Sequence, residues 1–243
     1  MLATVRRFQP ALRSPGDYVS QYSRQNPSPR YRELVTLYQQ VHREGIPEQN
    51  LAGEDVYVGK SLIVHLPAIR ALVEATGAKT LLDYGAGKGR VYAQQDIKLS
   101  DGRVIPSVQD YLGVDRIACY DPAVPQHWDF PSQQFDGVIS TDALEHCPQD
   151  DMPWIVEEMF SAARKFVYAN VASYPAHKRL PNGENAHATQ QPAEWWDALL
   201  RSCATRHPGV TYCFKIRENA GKRSLLQKLL GSKVRDTVLS NAA

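Results

Sequence analysis

Cysteine is scarce in this chain of 243 residues, and no two cysteines stand close together. The four of them, Cys119, Cys147, Cys203 and Cys213, form no Cys-x-x-Cys pair. Zinc sites and disulfide-stapled small domains depend on clustered or regularly spaced cysteines. The spacing therefore indicates neither a metal site nor a disulfide framework, and we expect a reducing, cytoplasmic environment.

A strong net charge and long apolar runs are also missing. The net charge of +2 is too small to predict a field that attracts nucleic acid or a membrane surface. No run of about 18 apolar residues occurs, so the sequence predicts no membrane span. Arg6, Arg7 and Arg13 are not followed by an apolar segment with a cleavage site, so we expect no signal peptide.

The remaining composition is that of a globular protein. Hydrophobic residues make up 43% and charged residues 22%, and a chain of 243 residues can bury one α/β core with additions. Four of the 16 prolines fall in the first thirty residues, which predicts an irregular arm over 1–30. We divide the rest into a helical cap over 31–76, a core over 77–217 and a helical tail over 218–243.

Apolar residues at helical spacing predict the helices of the cap and the tail. One helix covers 31–44 and is closed by Gly45, and a second covers 61–76, where Pro67 introduces a kink or a break. In the tail, leucines at the same spacing predict a helix over 222–239.

The most informative stretch is 80–89, Thr-Leu-Leu-Asp-Tyr-Gly-Ala-Gly-Lys-Gly. An apolar strand over 80–84 is followed by glycine at every second position. Glycine lacks a Cβ atom, so the chain can turn sharply here and lie against a ligand. Asp83 ends the strand, where open parallel sheets bind their ligands. The stretch therefore predicts a ligand-binding loop after the first core strand.

A second acidic residue follows the next apolar run. Asp121 comes directly after a strand predicted over 117–120, and its carboxylate offers only acceptors. The separation from Asp83 is 121 − 83 = 38 residues, against about 20 in dinucleotide-binding folds. The stretch 90–111 must therefore loop out, as a helix stub and a small hairpin or loop. Asp115 is the competing candidate, but it precedes the apolar run.

A third strand end carries polar residues in the stretch 135–146, Phe-Asp-Gly-Val-Ile-Ser-Thr-Asp-Ala-Leu-Glu-His. Its first six residues read as a buried parallel strand. Thr141, Asp142 and His146 then leave the carboxyl end of this strand, on the same rim as Asp83 and Asp121. Three strand ends therefore converge on one crevice.

Two of these stretches resemble known motifs. Asp83 with Gly85, Gly87 and Gly89 resembles motif I of the class I S-adenosylmethionine (SAM) dependent methyltransferases. Phe-Asp-x-Val-Ile followed by Leu-Glu-His is similar to motif IV of their small-molecule and quinone-type members. The resemblance covers about 60–216 and implies a Rossmann-like α/β fold, with a mainly parallel sheet, helices on both faces and an N-terminal helical cap.

The resemblance also implies SAM as cofactor and a small-molecule acceptor, methylated at oxygen. The residues that it assigns to the cofactor are Asp83, Tyr84, Gly85, Ala86, Gly87, Asp121, Pro122, Asp129 and Thr141. In these roles Asp121 accepts from the ribose hydroxyls, and Asp129 accepts from the adenine amino group, with Trp128 or Phe130 stacked on the ring. Thr141 and Asp142 lie near the methyl group.

A long polar loop over 173–189 leaves the predicted strand 165–171 at the same rim. Its length and polarity favour a functional loop over a simple connection. An oxygen acceptor must lose a proton, which a nearby histidine or carboxylate can take. The catalytic candidates are, in order, His187, Asp142 and His146, and no metal is expected.

Three other functions compete with this interpretation. A nicotinamide-dependent oxidoreductase is disfavoured, because Arg90 stands where Gly-x-Gly-x-x-Gly needs its third glycine. A SAM-binding regulatory module without catalysis shares the same motifs. A nucleic-acid methyltransferase is disfavoured by the small charge and by the lack of an Asn-Pro-Pro-Tyr or Asp-Pro-Pro-Tyr sequence after the fourth strand, so we expect no nucleic-acid partner.

Overall fold

The computed structural model describes residues 20–219 and 234–241. Most of the predicted arm, 1–19, and the first part of the predicted helical tail, 220–233, lie outside these ranges.

A six-stranded sheet forms the centre of the molecule, in the order β4-β1-β5-β6-β7-β8. The strands from β4 to β7 run parallel, and β8 pairs antiparallel with β7 at the edge. The bounds of these strands are β1 Thr80–Tyr84, β4 Arg116–Tyr120, β5 Phe135–Thr141, β6 Ala163–Ser173, β7 Thr211–Asn219 and β8 Val234–Ser240. Two short strands, β2 Ile97–Lys98 and β3 Val104–Ile105, form a separate hairpin.

Helices cover both faces of the sheet. Buried residues of α2 and α3, such as Leu66 and Val108, pack with Leu81 and Phe166 on one face. The helices α4 and α5 bury Met159 and Trp196 on the other. The helix bounds are α1 Pro29–Glu44, α2 Leu66–Thr76, α3 Val108–Leu112, α4 Met152–Ala162 and α5 Ala193–Ala204. The predicted α/β fold, with a mainly parallel sheet and helices on both faces, is confirmed in this Rossmann-like form.

Short 3-10 helices complete the chain and explain the predicted break at Pro67. They are Pro47–Gln49, Gly53–Asp55, Lys60–His65, Arg90–Ala93, Leu144–His146 and Gln149–Asp151. The helix predicted over 61–76 is split into Lys60–His65 and α2, with Pro67 in the first turn of α2, where a missing N–H costs nothing. Gly77 ends α2 in the left-handed conformation. The loop-out over 90–111 is also confirmed as a helix stub, the β2–β3 hairpin and the start of α3.

The C-terminal prediction is wrong where the structure describes it. A strand, β8, lies where helical spacing predicts a helix, and it forms the edge of the sheet beside β7. The cause is tertiary: β8 pairs with β7 from Cys213↔Ser240 to Asn219↔Val234, and this pairing outweighs a weak helical preference. The leucines at 225–230 that carried the helical pattern lie outside the described residues.

By length and composition alone, the stretch Gly53–Thr76 is apolar enough to cross a membrane. Only its last eleven residues, α2, are α-helical, which is about 16 Å of helix against about 30 Å of hydrocarbon. Leu62, Leu66 and Ile69 are buried in the core that faces the sheet. Packing inside the protein therefore accounts for these three residues, while 33% of the apolar window as a whole is buried.

The N-terminal part of the described chain is anchored on α4 through the buried Asp151. The Asp151 carboxylate accepts bonds from the Ser28 N–H at 3.0 Å and from the Trp154 indole N–H at 2.8 Å, and the Ser28 hydroxyl also donates to it. Ser28 caps α1, because its hydroxyl oxygen accepts from the Tyr31 N–H. The carboxylate therefore fixes where α1 begins.

We predict that Asp151→Ala lowers the free energy of unfolding by about 2–4 kcal/mol, because three buried donors then lack an acceptor. Urea unfolding followed by tryptophan fluorescence measures the change. Asp150→Ala, at the exposed neighbouring position, is the matched control and should stay within about 0.5 kcal/mol of the parent protein. Equal stability of the two variants would contradict the anchoring role.

Candidate functional site

A pocket lies at the carboxyl edge of the sheet, where the chain changes direction. Counted along the chain, the five parallel strands follow the order 2-1-3-4-5, so β4 and β5 flank β1 on opposite sides. Ligands of doubly wound sheets bind at this type of switch point. The pocket encloses about 930 Å³, including its open mouth.

Most of the residues singled out in the sequence line this pocket. They are Asp83, Tyr84, Gly85, Ala86, Gly87, Asp121, Pro122 and Thr141, together with the catalytic candidates Asp142 and His146. Asp129 and His187 are not among the lining residues.

The structure does not bring Asp129 to the pocket. Residues 122–134 run from β4 to β5 without a strand, and Phe130 packs edge-on against Tyr120 and Tyr84, with ring centroids 5.1 and 6.1 Å away. Phe130 thus covers the outer strand, while Asp129 is exposed. Trp128 is 53% exposed and lines a second, shallower groove.

The Asp121 carboxylate joins the ends of β1 and β4. It accepts bonds from the N–H groups of Gly87 and Ala123, both at 2.9 Å. Burial raises the pKa of Asp121, and these two bonds oppose the rise. An ionised carboxylate has about four acceptor sites, so capacity for further donors remains. The competing Asp115 precedes β4, at the opposite end of the sheet, where its N–H bonds to the Lys79 carbonyl.

The glycines of the loop are required by close approaches within the protein. Gly85 and Gly87 have φ of +84° and +55°. A Cβ atom at Gly85 would lie 2.4 Å from the Ala143 Cβ, and one at Gly87 would lie 2.3 Å from the Tyr57 carbonyl oxygen. The sequence predicts that a ligand lies against these glycines. In the structure, protein segments at Ala143 and Tyr57 lie against them instead.

Asp83 offers the pocket an unused acceptor. Its side chain is 4% exposed, Oδ2 accepts from the Tyr92 hydroxyl at 2.7 Å, and Oδ1 has no partner among the described residues. Burial, and then the charge of Asp121, raise the pKa of Asp83 to about 7. A buried polar atom without a partner calls for a donor, and the pocket is where a ligand can supply one.

Residues of α1 and the following loop form what we call the roof of the pocket. These residues are Tyr31, Leu34, Val35, Tyr38, His42 and Tyr57. Lys88, in the glycine loop, fastens it: the ammonium donates to the carbonyls of Gly53, Val56 and His42 at 2.7, 3.2 and 3.2 Å. The Lys88 N–H also donates to the Tyr57 carbonyl at 2.9 Å. The sequence predicts a helical cap but gives no sign of this fastening.

His146 is held by the roof and by the loop over 173–192. Its Nδ1 lies 2.9 Å from the Ala186 carbonyl and 2.7 Å from the Tyr38 hydroxyl, which itself donates to Ala186 at 2.7 Å. A carbonyl only accepts, so the contact with Ala186 is best satisfied with the proton on Nδ1. Burial lowers the pKa of His146 to about 4, which keeps the ring neutral at pH 7.

His187 lies behind His146. Its ring centroid is 5.1 Å from that of His146, and its Nδ1 bonds to the Tyr174 carbonyl at 2.5 Å. The first catalytic candidate of the sequence therefore contacts a pocket residue without lining the pocket. His187 stays out of the pocket because its loop packs on α1, where Leu180 and Ala186 are buried. No periodicity in the sequence predicts that packing.

Asp142 lies in a strained conformation at the end of β5, with φ of +50°. The Asn170 amide donates to its carboxylate, and its own N–H donates to the Asn170 carbonyl at 3.1 Å. Burial raises the pKa of Asp142, and the charge of Arg217 opposes the rise. Strain of this kind persists where surrounding bonds fix it and is frequent at functional sites.

Sequence reasoning missed Glu145, although it stands inside the Leu-Glu-His motif. It is fully buried, its Oε1 accepts from the Ala172 N–H at 3.0 Å, and its carbonyl accepts from the Thr189 N–H at 3.0 Å. Burial, and then the charge of Asp142, raise the pKa of Glu145 to about 8. Glu145 thus ties the segment that carries His146 to β6 and to the long loop.

No model of a known protein family matches the chain, and no curated protein matches it either. Within residues 20–219 and 234–241, no group of three or more His, Cys, Asp or Glu side chains is placed to hold a metal ion.

We predict that Glu145 makes the protein less stable as pH rises. Its ordinary pKa is 4.5 and its folded value about 8, so between these values the unfolded chain loses a proton that the folded protein keeps. The free energy of unfolding therefore falls across that window. Glu145→Gln keeps an acceptor for Ala172 and removes the titration.

Between pH 5 and pH 8 the parent protein should lose about 2–4 kcal/mol more than Glu145→Gln does. Urea unfolding of both proteins at each pH gives the difference, and the titration of Asp83 is common to both. Parallel stability curves would contradict a protonated Glu145.

Proposed function

We propose that the protein is a SAM-dependent methyltransferase that acts on an oxygen atom of a small molecule. The observation that carries the proposal is the meeting of Asp83, the glycine loop and Asp121 at one switch-point pocket, next to Thr141 and Asp142. The two stretches that resemble the methyltransferase motifs therefore line one cavity.

The donors and acceptors of the pocket fit SAM. The unpartnered Asp83 Oδ1 suits the ammonium of the methionine part, and the spare acceptor sites of Asp121 suit two ribose hydroxyls. Leu34 and Val35 give the roof an apolar surface for a planar base. When bound, SAM supplies a methyl group on a positively charged sulfur.

The residues of the protein would orient the reactants and exclude water. Lys88 holds the roof against the glycine loop, which keeps the pocket closed on that side. A hydroxyl acceptor must lose its proton, and the neutral ring of His146, which lines the pocket, can accept it. We therefore place His146 ahead of Asp142 and His187 as the base, with His187 supporting the His146 ring.

One observation favours a second function, a nicotinamide-dependent oxidoreductase. The 2-1-3-4-5 order of the parallel strands is a doubly wound order, and such sheets bind nucleotide cofactors at the same switch point. The glycine spacing opposes it, because Arg90 occupies the third position of the dinucleotide fingerprint. A SAM-binding module without catalysis shares the whole pocket and differs only in turnover.

Titration calorimetry separates these functions. SAM and S-adenosylhomocysteine should bind to the full chain, and NAD should not. Binding of NAD without binding of SAM would overturn the proposal. SAM binding with no methyl transfer to any member of a broad panel of hydroxyl acceptors would favour the SAM-binding module without catalysis.

We predict that Asp121→Ala weakens SAM binding by about 1.5–3 kcal/mol, the usual range for bonds to a charged group. Asp115→Ala, at the far end of β4, is the matched control and should bind like the parent protein. Calorimetry gives both affinities, and thermal unfolding checks that the loss of the Gly87 bond has not unfolded the variant. Weaker binding by Asp115→Ala alone would show that the assignment is reversed.

We also predict that His146→Ala lowers turnover by about 10²-fold or more and leaves SAM affinity nearly unchanged, as expected for loss of a general base. His187→Ala should lower turnover less, because its ring only supports that of His146. Release of S-adenosylhomocysteine with an acceptor found by screening is the measurement. A deeper loss in His187→Ala than in His146→Ala would make His187 the base.

A further inference from the structure

Lys178 is a half-buried cation that does not itself line the pocket but lies over the ring of Tyr57, which does, and it has no anionic partner among the described residues. It belongs to the long loop over 173–192, and its ammonium lies 4.3 Å from the centroid of the Tyr57 ring, which lines the pocket. Among the described residues its side chain forms neither an ion pair within 4.0 Å nor a hydrogen bond. An unpaired ammonium thus stands beside a pocket wall.

Lysine is almost never fully buried unless it is paired, and Lys178 is partly buried with no pair among the described residues. The Tyr57 ring offsets part of the lost hydration through its negative face. Burial lowers the pKa of Lys178, as expected for an ammonium that lacks a counter-ion. The charge of Lys178 also acts on His42 in the roof. Burial is the main cause that lowers the pKa of His42 to about 4, and the charges of Lys88 and Lys178 lower it further.

The position of Lys178 is set by the packed backbone of the loop. The Ala186 N–H donates to the Lys178 carbonyl at 3.2 Å, and the neighbouring Leu180 and Ala186 are buried in the cluster that includes Tyr38. Arg179, the next residue, is exposed, and its guanidinium donates to the Gly183 carbonyl at 2.8 Å. The loop therefore holds the Lys178 cation over the Tyr57 ring, and it satisfies Arg179 with a carbonyl of its own.

Two other part-buried cations of the described chain are satisfied by acceptors, Lys88 by backbone carbonyls and Arg24 by a carboxylate. Arg24, which also lies over aromatic rings, pairs with both carboxylate oxygens of Glu158. Lys178 has the aromatic contact without the carboxylate. The group that it lacks is an anion, and the place for it is next to Tyr57.

We propose that Lys178 binds an anionic group of the methyl acceptor, a carboxylate or a phosphate, beside Tyr57. The proposal rests on the proposed function, since the acceptor is the ligand that a methyltransferase needs beyond its cofactor. Ammonium groups form strong charge-assisted bonds with both kinds of anion. The rings of Tyr38, Tyr57 and His146, with centroids 5.2 to 5.8 Å apart, give the same wall an aromatic surface. The acceptor is therefore a small aromatic acid or aromatic phosphate.

The test uses benzoate and phenyl phosphate as probes, with benzamide as the uncharged match for benzoate. The full chain is prepared with ¹³C-labelled lysine, and probes are titrated at ionic strength held constant with sodium chloride. The Lys178 resonance is identified by its absence in Lys178→Gln. It should shift saturably with benzoate, with phenyl phosphate or with both, and the two probes tell a carboxylate site from a phosphate site.

Matched variants make the outcome decisive. Arg179→Gln removes a positive charge from the same loop and should keep the parent dissociation constant, as should Lys178→Arg. Lys178→Gln should raise the dissociation constant, measured by calorimetry, at least tenfold. No saturable shift, an equal response to benzamide, or an equal loss in Arg179→Gln would overturn the proposal.

SAM calorimetry on the same proteins separates this inference from the proposed function. Lys178→Gln should bind SAM like the parent protein. If SAM binds and benzoate and phenyl phosphate do not, the anion site is wrong and the methyltransferase proposal stands. If benzoate or phenyl phosphate binds at Lys178 and SAM does not bind, the anion site stands and the proposed function fails.

Discussion

One carboxylate, that of Asp121, sets the geometry on which the pocket depends. Parallel strands end at one edge, where backbone N–H groups lose their sheet partners and need others. Asp121 supplies them for Gly87 and Ala123, and so holds the glycine loop beside the end of β4. The loop held in this way places the Lys88 ammonium beside three carbonyls of the roof segment, those of Gly53, Val56 and His42. These three hydrogen bonds hold the roof over the pocket.

Burial is the second constraint, and it shifts the pKa values of several residues of the site. It raises the pKa of Asp83 to about 7 and that of Glu145 to about 8, and it lowers that of His146 to about 4. At pH 7 Glu145 therefore keeps its proton, Asp83 is about half ionised and the His146 ring is neutral. In this setting the ammonium of Lys178 stands out, because no acid among the described residues pairs with it.

The sequence predicts those parts of the site that depend on residues close together in the chain. The apolar run before Asp83, the alternating glycines and the run before Asp121 identify β1, its loop and β4, because strand patterns and turn residues act over a few positions. Contacts between distant segments leave no such pattern. Lys88, Glu145 and Lys178 owe their roles to packing. Asp129 and His187 miss the pocket because Phe130 covers β4 and the long loop packs on α1.

The most direct test of this account is a crystal structure of the full chain with S-adenosylhomocysteine. The account predicts the ribose hydroxyls on the Asp121 carboxylate, the amino group on Asp83 Oδ1 and the adenine beneath Leu34 and Val35. The sulfur should point towards Thr141 and Asp142. S-adenosylhomocysteine bound outside this pocket, or a pocket that takes up NAD from a mixture of the two, would contradict it.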